Sequence, residues 1–109
     1  MRLQEARIEQ EGRVHKINLL HMDNAVITFC FEGKMKIGTL AISTPGLRHG
    51  AVGTSSVLLG GKYLIAARAL AERAAAIFNK MSLVSLNTSL AEGEALRLYS
   101  SLLDKVRSK

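Results

Sequence analysis

Over the first 44 residues, apolar and polar positions alternate in short runs closed by turn residues. "RLQEARIEQ" precedes Glu11-Gly12, "RVHKINLLHM" precedes Asp23-Asn24, "AVITFCFE" precedes Gly33-Lys34, and "MKIGTLAIST" ends at Pro45. Alternation with a period of two predicts strands, because successive side chains point to opposite faces. Turn signals at roughly ten-residue spacing predict an antiparallel meander. In the third run, Ala25, Ile27, Phe29 and Phe31 share one side, and Thr28, Cys30 and Glu32 the other. The larger apolar set is expected to form the core face. The second run slips phase: Val14 is even, Ile17 and Leu19 are odd, and Leu20 and Met22 are even again. Either a bulge near Lys16 or burial on both faces accounts for that.

"PGLRHGAVGTS" breaks the alternation and predicts a loop. "SVLLG" is a short apolar strand. From Lys62 to about Asn79 the spacing turns helical. Tyr63, Leu64, Ala67, Leu70, Ala71, Ala74, Ile77 and Phe78 fall on one arc, and Lys62, Arg68, Glu72, Arg73 and Asn79 on the other. Ile65 stands alone among the polar positions. "KMSLVSLNTS" predicts another strand. Ser89-Leu90-Ala91-Glu92 has the spacing of a capping box, opening a last helix with Ala91, Ala95, Leu98, Tyr99, Leu102 and Val106 on one face. The basic ending "KVRSK" suits that helix's negative end. The expected fold is a single α+β domain over residues 1–109: an antiparallel meander sheet of about six strands with two amphipathic helices in the C-terminal half. The order is β-β-β-β-loop-β-α-β-α.

Gly60-Gly61-Lys62, between an apolar strand and a helix, invites comparison with a phosphate-binding loop. That loop needs G-x-x-x-x-G-K-[ST]. With Gly61-Lys62 as its end, the first glycine falls on Ser56, and the last position, which should hold magnesium, is Tyr63. Two required positions fail, so no nucleotide cofactor is expected. The glycines instead serve a chain reversal with positive φ.

The composition narrows the function further. The chain has 109 residues, 48% of them hydrophobic, which is enough for one core and too few for two. One cysteine excludes an internal disulfide framework. "MRLQEARIEQEGR" lacks the apolar segment of a signal peptide, and no run is long enough for a spanning helix, so a cytoplasmic protein without a membrane partner is expected. The net charge of +6 suggests an acidic partner, although the cations are scattered and not blocked. His15 and His21 stand roughly 20 Å apart along one strand, too far to share a metal. Cys30 reads as a buried, inert thiol. No constellation of titratable groups suggests catalysis, so no enzyme activity, metal or other cofactor is expected. Nucleic acid is disfavoured, because Phe29 and Phe31 fall on the expected core face and not on an exposed stacking platform.

The words "GKMKIGTL", "TSSVLLG", "YLIAARALAERAAAIF", "LVSLN" and "EGEALRLYSSLLDKV", in this order, resemble the small proteasome-assembly chaperones, the third and fourth in the eukaryotic naming, and their archaeal relatives. The likeness is nearer to the third and covers roughly residues 24 to 107. It implies a non-enzymatic chaperone, dimeric with itself or with a related chain, that holds proteasome α-type subunits while their ring assembles. It also implies that the loop Pro45 to Ser55 contributes to α-subunit contact. Within that loop Arg48 is the full charge, and Leu47 and Val52 are the large apolar groups. Leu47, Arg48 and Val52 are therefore the candidate contact residues, with Arg68 and Glu72 on the first helix as the second choice. The alternatives are a basic nucleic-acid-binding or ribosome-associated module, and a roadblock- or longin-like scaffold. A roadblock domain would begin with a helix.

Overall fold

The computed structural model describes residues 2–46 and 54–107. Among them lie β1 (Arg2–Gln10), β2 (Arg13–His21), β3 (Ala25–Glu32), β4 (Thr39–Ser43), β5 (Ser55–Leu59), α1 (Leu64–Phe78), β6 (Met81–Asn87) and α2 (Glu92–Arg107). The α+β order is the expected one. The six strands form one sheet, and both helices cover the same face of it, α1 over β4, β5 and β6, and α2 over β1 and β2. The shortest dimension, 20 Å, is that of two layers.

The first two hairpins follow from their turns. Glu11 and Gly12 both take positive φ, 53° and 76°, the twist that joins antiparallel strands through two residues. They fix the pairing Gln10↔Arg13. The β2–β3 turn closes with Met22 N–H donating to the Ala25 carbonyl at 2.8 Å. β2 carries no bulge: its pairing with both neighbours is regular. Its mixed phase reflects apolar residues on both faces. The register shift falls instead in β4, between Leu40 and Ala41.

The sheet is mixed, which corrects the expected meander. Its order is β1-β2-β3-β6-β4-β5, with β6 parallel to β3 and antiparallel to β4. The turn at Gly33 (φ 72°) reverses the chain but closes no hairpin. Strands lie about 4.8 Å apart, so inserting one doubles the gap that the connection must cross. The segment 33–38 crosses it, and β4 begins only at Thr39. Gly38 passes against β6: its N–H donates to Ser85 Oγ at 3.0 Å, and a Cβ there would lie 2.0 Å from the Leu86 carbonyl oxygen. Local turn chemistry sets strand direction. It does not say whether a later strand will enter the gap.

The core lies between sheet and helices, and here a second expectation is corrected. The helix-facing side of β3 is Val26, Thr28 and Cys30, all buried, and not Ile27 and Phe29. In register with them stand Ile17 and Leu19 on β2 and Val84 and Leu86 on β6. The helices add Ala66, Ala67, Leu70, Ala71 and Ala74 from α1, and Leu98, Tyr99, Leu102, Leu103 and Val106 from α2. Alanines bring the α1 backbone close to the sheet, and that closeness leaves room for Thr28 and Cys30 but not for a phenylalanine beneath it. Leu64, expected on the packed arc, is exposed, as is Ile65.

Helix α1 has an unusual start. Tyr63 caps it in the left-handed conformation (φ 61°) with no side-chain hydrogen bond of its own to the helix. Its hydroxyl points away, 2.7 Å from the Thr88 carbonyl oxygen and 2.6 Å from that of Leu90. The free N–H groups of Ile65 and Ala66 donate instead to Glu92 Oε2, at 2.7 and 2.8 Å. The expected capping box therefore does not form on α2. Glu92 caps the neighbouring helix, and Ser89 turns to Glu32.

Candidate interaction surface

Of the five candidate contact residues, Leu47, Arg48 and Val52 lie outside the described residues. Arg68 and Glu72 lie one turn apart on α1 and meet through one hydroxyl. Arg68 Nε donates to Ser55 Oγ at 3.2 Å, and Ser55 Oγ donates to Glu72 Oε2. Both side chains thus hold α1 to the start of β5, the point where the chain leaves the Pro45–Ser55 segment.

The sheet face away from the helices has no covering layer among the described residues; the sequence offered burial on both faces of β2 as one of two explanations of its phase slip, without naming the residues of that face. Cross-strand register arranges that face in rows. Leu3, Leu20, Ile27, Leu83 and Ile42 form an aliphatic row across five strands. The next row runs Glu5, Asn18, Phe29, Ser85, Leu40. The third runs Arg7, Lys16, Phe31, Asn87. Leu3 is 74% exposed, and Ile27, Phe29, Leu83 and Ile42 are half-buried by their neighbours alone. Asn18 Oδ1 is buried among these side chains and has no hydrogen-bond partner. The phase slip in β2 was the signal that could have located the face, since a strand apolar on both sides demands cover on both.

Most of the buried polar groups sit on the helix side and serve structure. Glu32 joins the end of β3 to the β6–α2 connection. It accepts from the Thr88 and Ser89 hydroxyls, each at 3.0 Å, from Ser89 N–H at 3.3 Å, and from Arg13 at 3.3 Å. Burial pushes its carboxyl up, but these bonds and the Arg13 charge outweigh it and hold the group below its usual value. His15 Nδ1 lies 2.9 Å from the Tyr99 hydroxyl and 3.8 Å from Glu32. Burial pushes both the Tyr99 hydroxyl and the Cys30 thiol far up, which leaves the thiol protonated and unreactive. His21, against Phe78 and bonded to Gln4 at 2.6 Å, is held below its usual value by burial, then by Arg2 and Lys80. Among the described residues, no three His, Cys, Asp or Glu side chains gather as a metal site would require. No described helix is long and apolar enough to cross a membrane.

The Gly60-Gly61-Lys62 segment is a tucked turn. Gly60 takes φ 107° while Gly61 does not enter the positive region. The Thr39 hydroxyl donates to the Lys62 carbonyl, drawing the turn onto the start of β4.

No family model matches the chain, and no curated protein matches it in sequence. Among solved structures, the fold is similar to a chain from a novel chaperone complex for yeast 20S proteasome assembly, with a TM-score of 0.71 at 12% identity. The similarity covers 98% of this chain and 99% of the yeast one. Each fold thus accounts for nearly the whole of the other.

Proposed function

We propose that this protein is a non-enzymatic chaperone that acts as a dimer and holds proteasome α-type subunits during α-ring assembly. The observation that carries the proposal is the end-to-end likeness in fold to the yeast chain, which covers 98% of this chain and 99% of that one. The open sheet face supports the dimer. It spans five strands with an aliphatic row running across them, too extensive to be scattered exposed side chains. The molecule measures 41 × 31 Å across its two longer axes, and such a face can supply the roughly 800 Å² per partner of a standard interface. A second chain packed sheet to sheet would cover the aliphatic row and bring a donor toward Asn18 Oδ1. Glu5 and Glu9 on that face are matched in number by Arg7 and Lys16, so two copies can meet without net repulsion.

The test is co-purification of tagged protein with α-type subunits from cells of its source, with the chain mass measured in parallel. Recovery of α subunits on a chaperone of twice the chain mass of 11.8 kDa is the expected result. Failure to bind any α subunit while the protein is folded would remove the chaperone reading. A second reading has one observation in its favour: Phe29 lies on the open face beside Lys16 and Arg7, as a base-stacking residue would. Salt-dependent retention of single-stranded RNA, lost in Phe29→Ala, would favour it.

A further inference from the structure

A second exposed apolar surface lies at the end of the sheet where β4 starts and β5 stops. Leu59 pairs with Leu40 there. Ile37, on the crossing segment just before β4, is tied to the end of β6 by Asn87 Nδ2 donating to its carbonyl at 3.4 Å. Leu64 and Ile65 follow from the first turn of α1, which the Thr39–Lys62 hydrogen bond draws onto the same corner. These four side chains are 46–69% exposed. In the sequence Ile65 stands alone among polar positions, but in the structure Leu64 beside it is exposed too.

The same segments carry three exposed lysines: Lys34 and Lys36 on the crossing segment, and Lys62 in the turn before α1, its Nζ 5.0 Å from the centre of the Tyr63 ring. The carboxylate that the structure places against the ledge is Glu92, and its Oε2 is occupied by the Ile65 and Ala66 N–H groups. The ledge is thus aliphatic and net positive, unlike the balanced open face. A second copy brought against it would add three lysines to three, so it does not suit self-association. Among the described residues, its segments 34–37 and 59–65 carry no arginine fork for a phosphate, and their one aromatic, Tyr63, is buried and not free to stack on a base. Exposed Leu and Ile side chains on segments that also carry lysines match a polypeptide with apolar anchors and carboxylate flanks.

We infer that this ledge is a docking surface for an aliphatic segment of a partner protein flanked by acidic residues. Leu59, Leu64, Ile65 and Ile37 take the apolar anchors, and Lys34, Lys36 and Lys62 take the carboxylates. The inference goes beyond the chaperone proposal and does not depend on it, and its test uses no proteasome subunit.

The probe is a fluorescein-labelled peptide, Glu-Asp-Leu-Ile-Val-Leu-Glu-Asp, titrated with the full chain and followed by anisotropy. Controls are the same peptide with lysines in place of its acids, and vesicles of phosphatidylcholine with phosphatidylserine. The acidic peptide is expected to bind, more weakly as salt rises, and the basic one not to bind. Lys34→Glu with Lys36→Glu and Lys62→Glu is expected to weaken binding by about tenfold or more. Leu59→Ser with Ile65→Ser should do the same, with an unchanged mass by light scattering. Equal binding of the two peptides, affinity that survives both variants, or binding to anionic vesicles but not to the acidic peptide would each overturn the inference.

Discussion

Gly38 has no room for a side chain. A Cβ would meet the Leu86 carbonyl oxygen at 2.0 Å and its carbon at 2.6 Å, both backbone atoms of a central strand that cannot step aside. Gly38→Ala is therefore expected to cost about 3 kcal/mol, read as a lower urea midpoint. Gly33→Ala, where a Cβ meets nothing within 4 Å but φ is 72°, should cost about 1 kcal/mol. Glu92 makes a different contribution, satisfying two helix N–H groups from another element. Glu92→Ala should lose about 1–2 kcal/mol, and Glu92→Gln, which keeps an acceptor, less. His21 carries the pH dependence. Its folded pKa lies below the unfolded value, so the unfolded chain binds the proton more tightly. The stability His21 contributes is complete above pH of about 6.5 and is lost as pH falls through the folded value. The melting temperature should decline on acidification below pH of about 6.5, and less so in His21→Gln. Glu32, also depressed, adds a separate loss only at more acidic pH, as it protonates.

At the scale of elements, the sequence was informative wherever a local rule was sufficient. The Glu11-Gly12 and Asp23-Asn24 turns, the existence of the six described strands and both helices, and most of the packed face of α2 follow from spacing and turn chemistry, although Ala91, expected on that face, is exposed and Leu103 joins it. The insertion of β6 between β3 and β4 was hidden, because it joins residues 39 to 56 positions apart and leaves only one local trace, a glycine at position 38. The faces of β3 were misassigned for a related reason. Side-chain size suggested that Phe29 faces the core, but the alanine-lined helix determines which face it can approach, and it approaches the smaller one. Cys30→Leu tests this. A leucine in place of a thiol only 1% exposed beneath the helices overfills a packed layer, so a loss of about 1–3 kcal/mol is expected. Phe29→Leu, on the open side, should leave the single chain's stability nearly unchanged. Of the five residues selected for contact, Arg68 and Glu72 became an intramolecular tie to Ser55. A polar helix arc in sequence cannot distinguish a partner's hydrogen bond from a neighbouring strand's.

For the molecule as a whole, a two-layer fold buries only one face of its sheet, and an aliphatic row on the other face must be covered or carried as a liability. If cover comes from a second copy, folding and association are one equilibrium, and stability depends on concentration. For such a dimer each tenfold rise in protein concentration adds about 1.4 kcal/mol to the apparent stability. The melting temperature should therefore climb by roughly 2–4 °C per tenfold, the scale for a unit of this size. Leu83 sits at the middle of the row, paired with Ile27 on one side and Ile42 on the other. Leu83→Asp would place a carboxylate in the centre of the covered face, where it has no cation opposite in its own row. The expected result is a chain of single mass whose lower melting temperature no longer moves with concentration. The ledge variants at Lys34, Lys36 and Lys62 should keep the wild-type slope, since those residues lie off the row. A wild-type melting temperature that stays constant over a hundredfold range, together with a single-chain mass, would show that the row is not covered by a second copy. The cover would then have to come from a different chain.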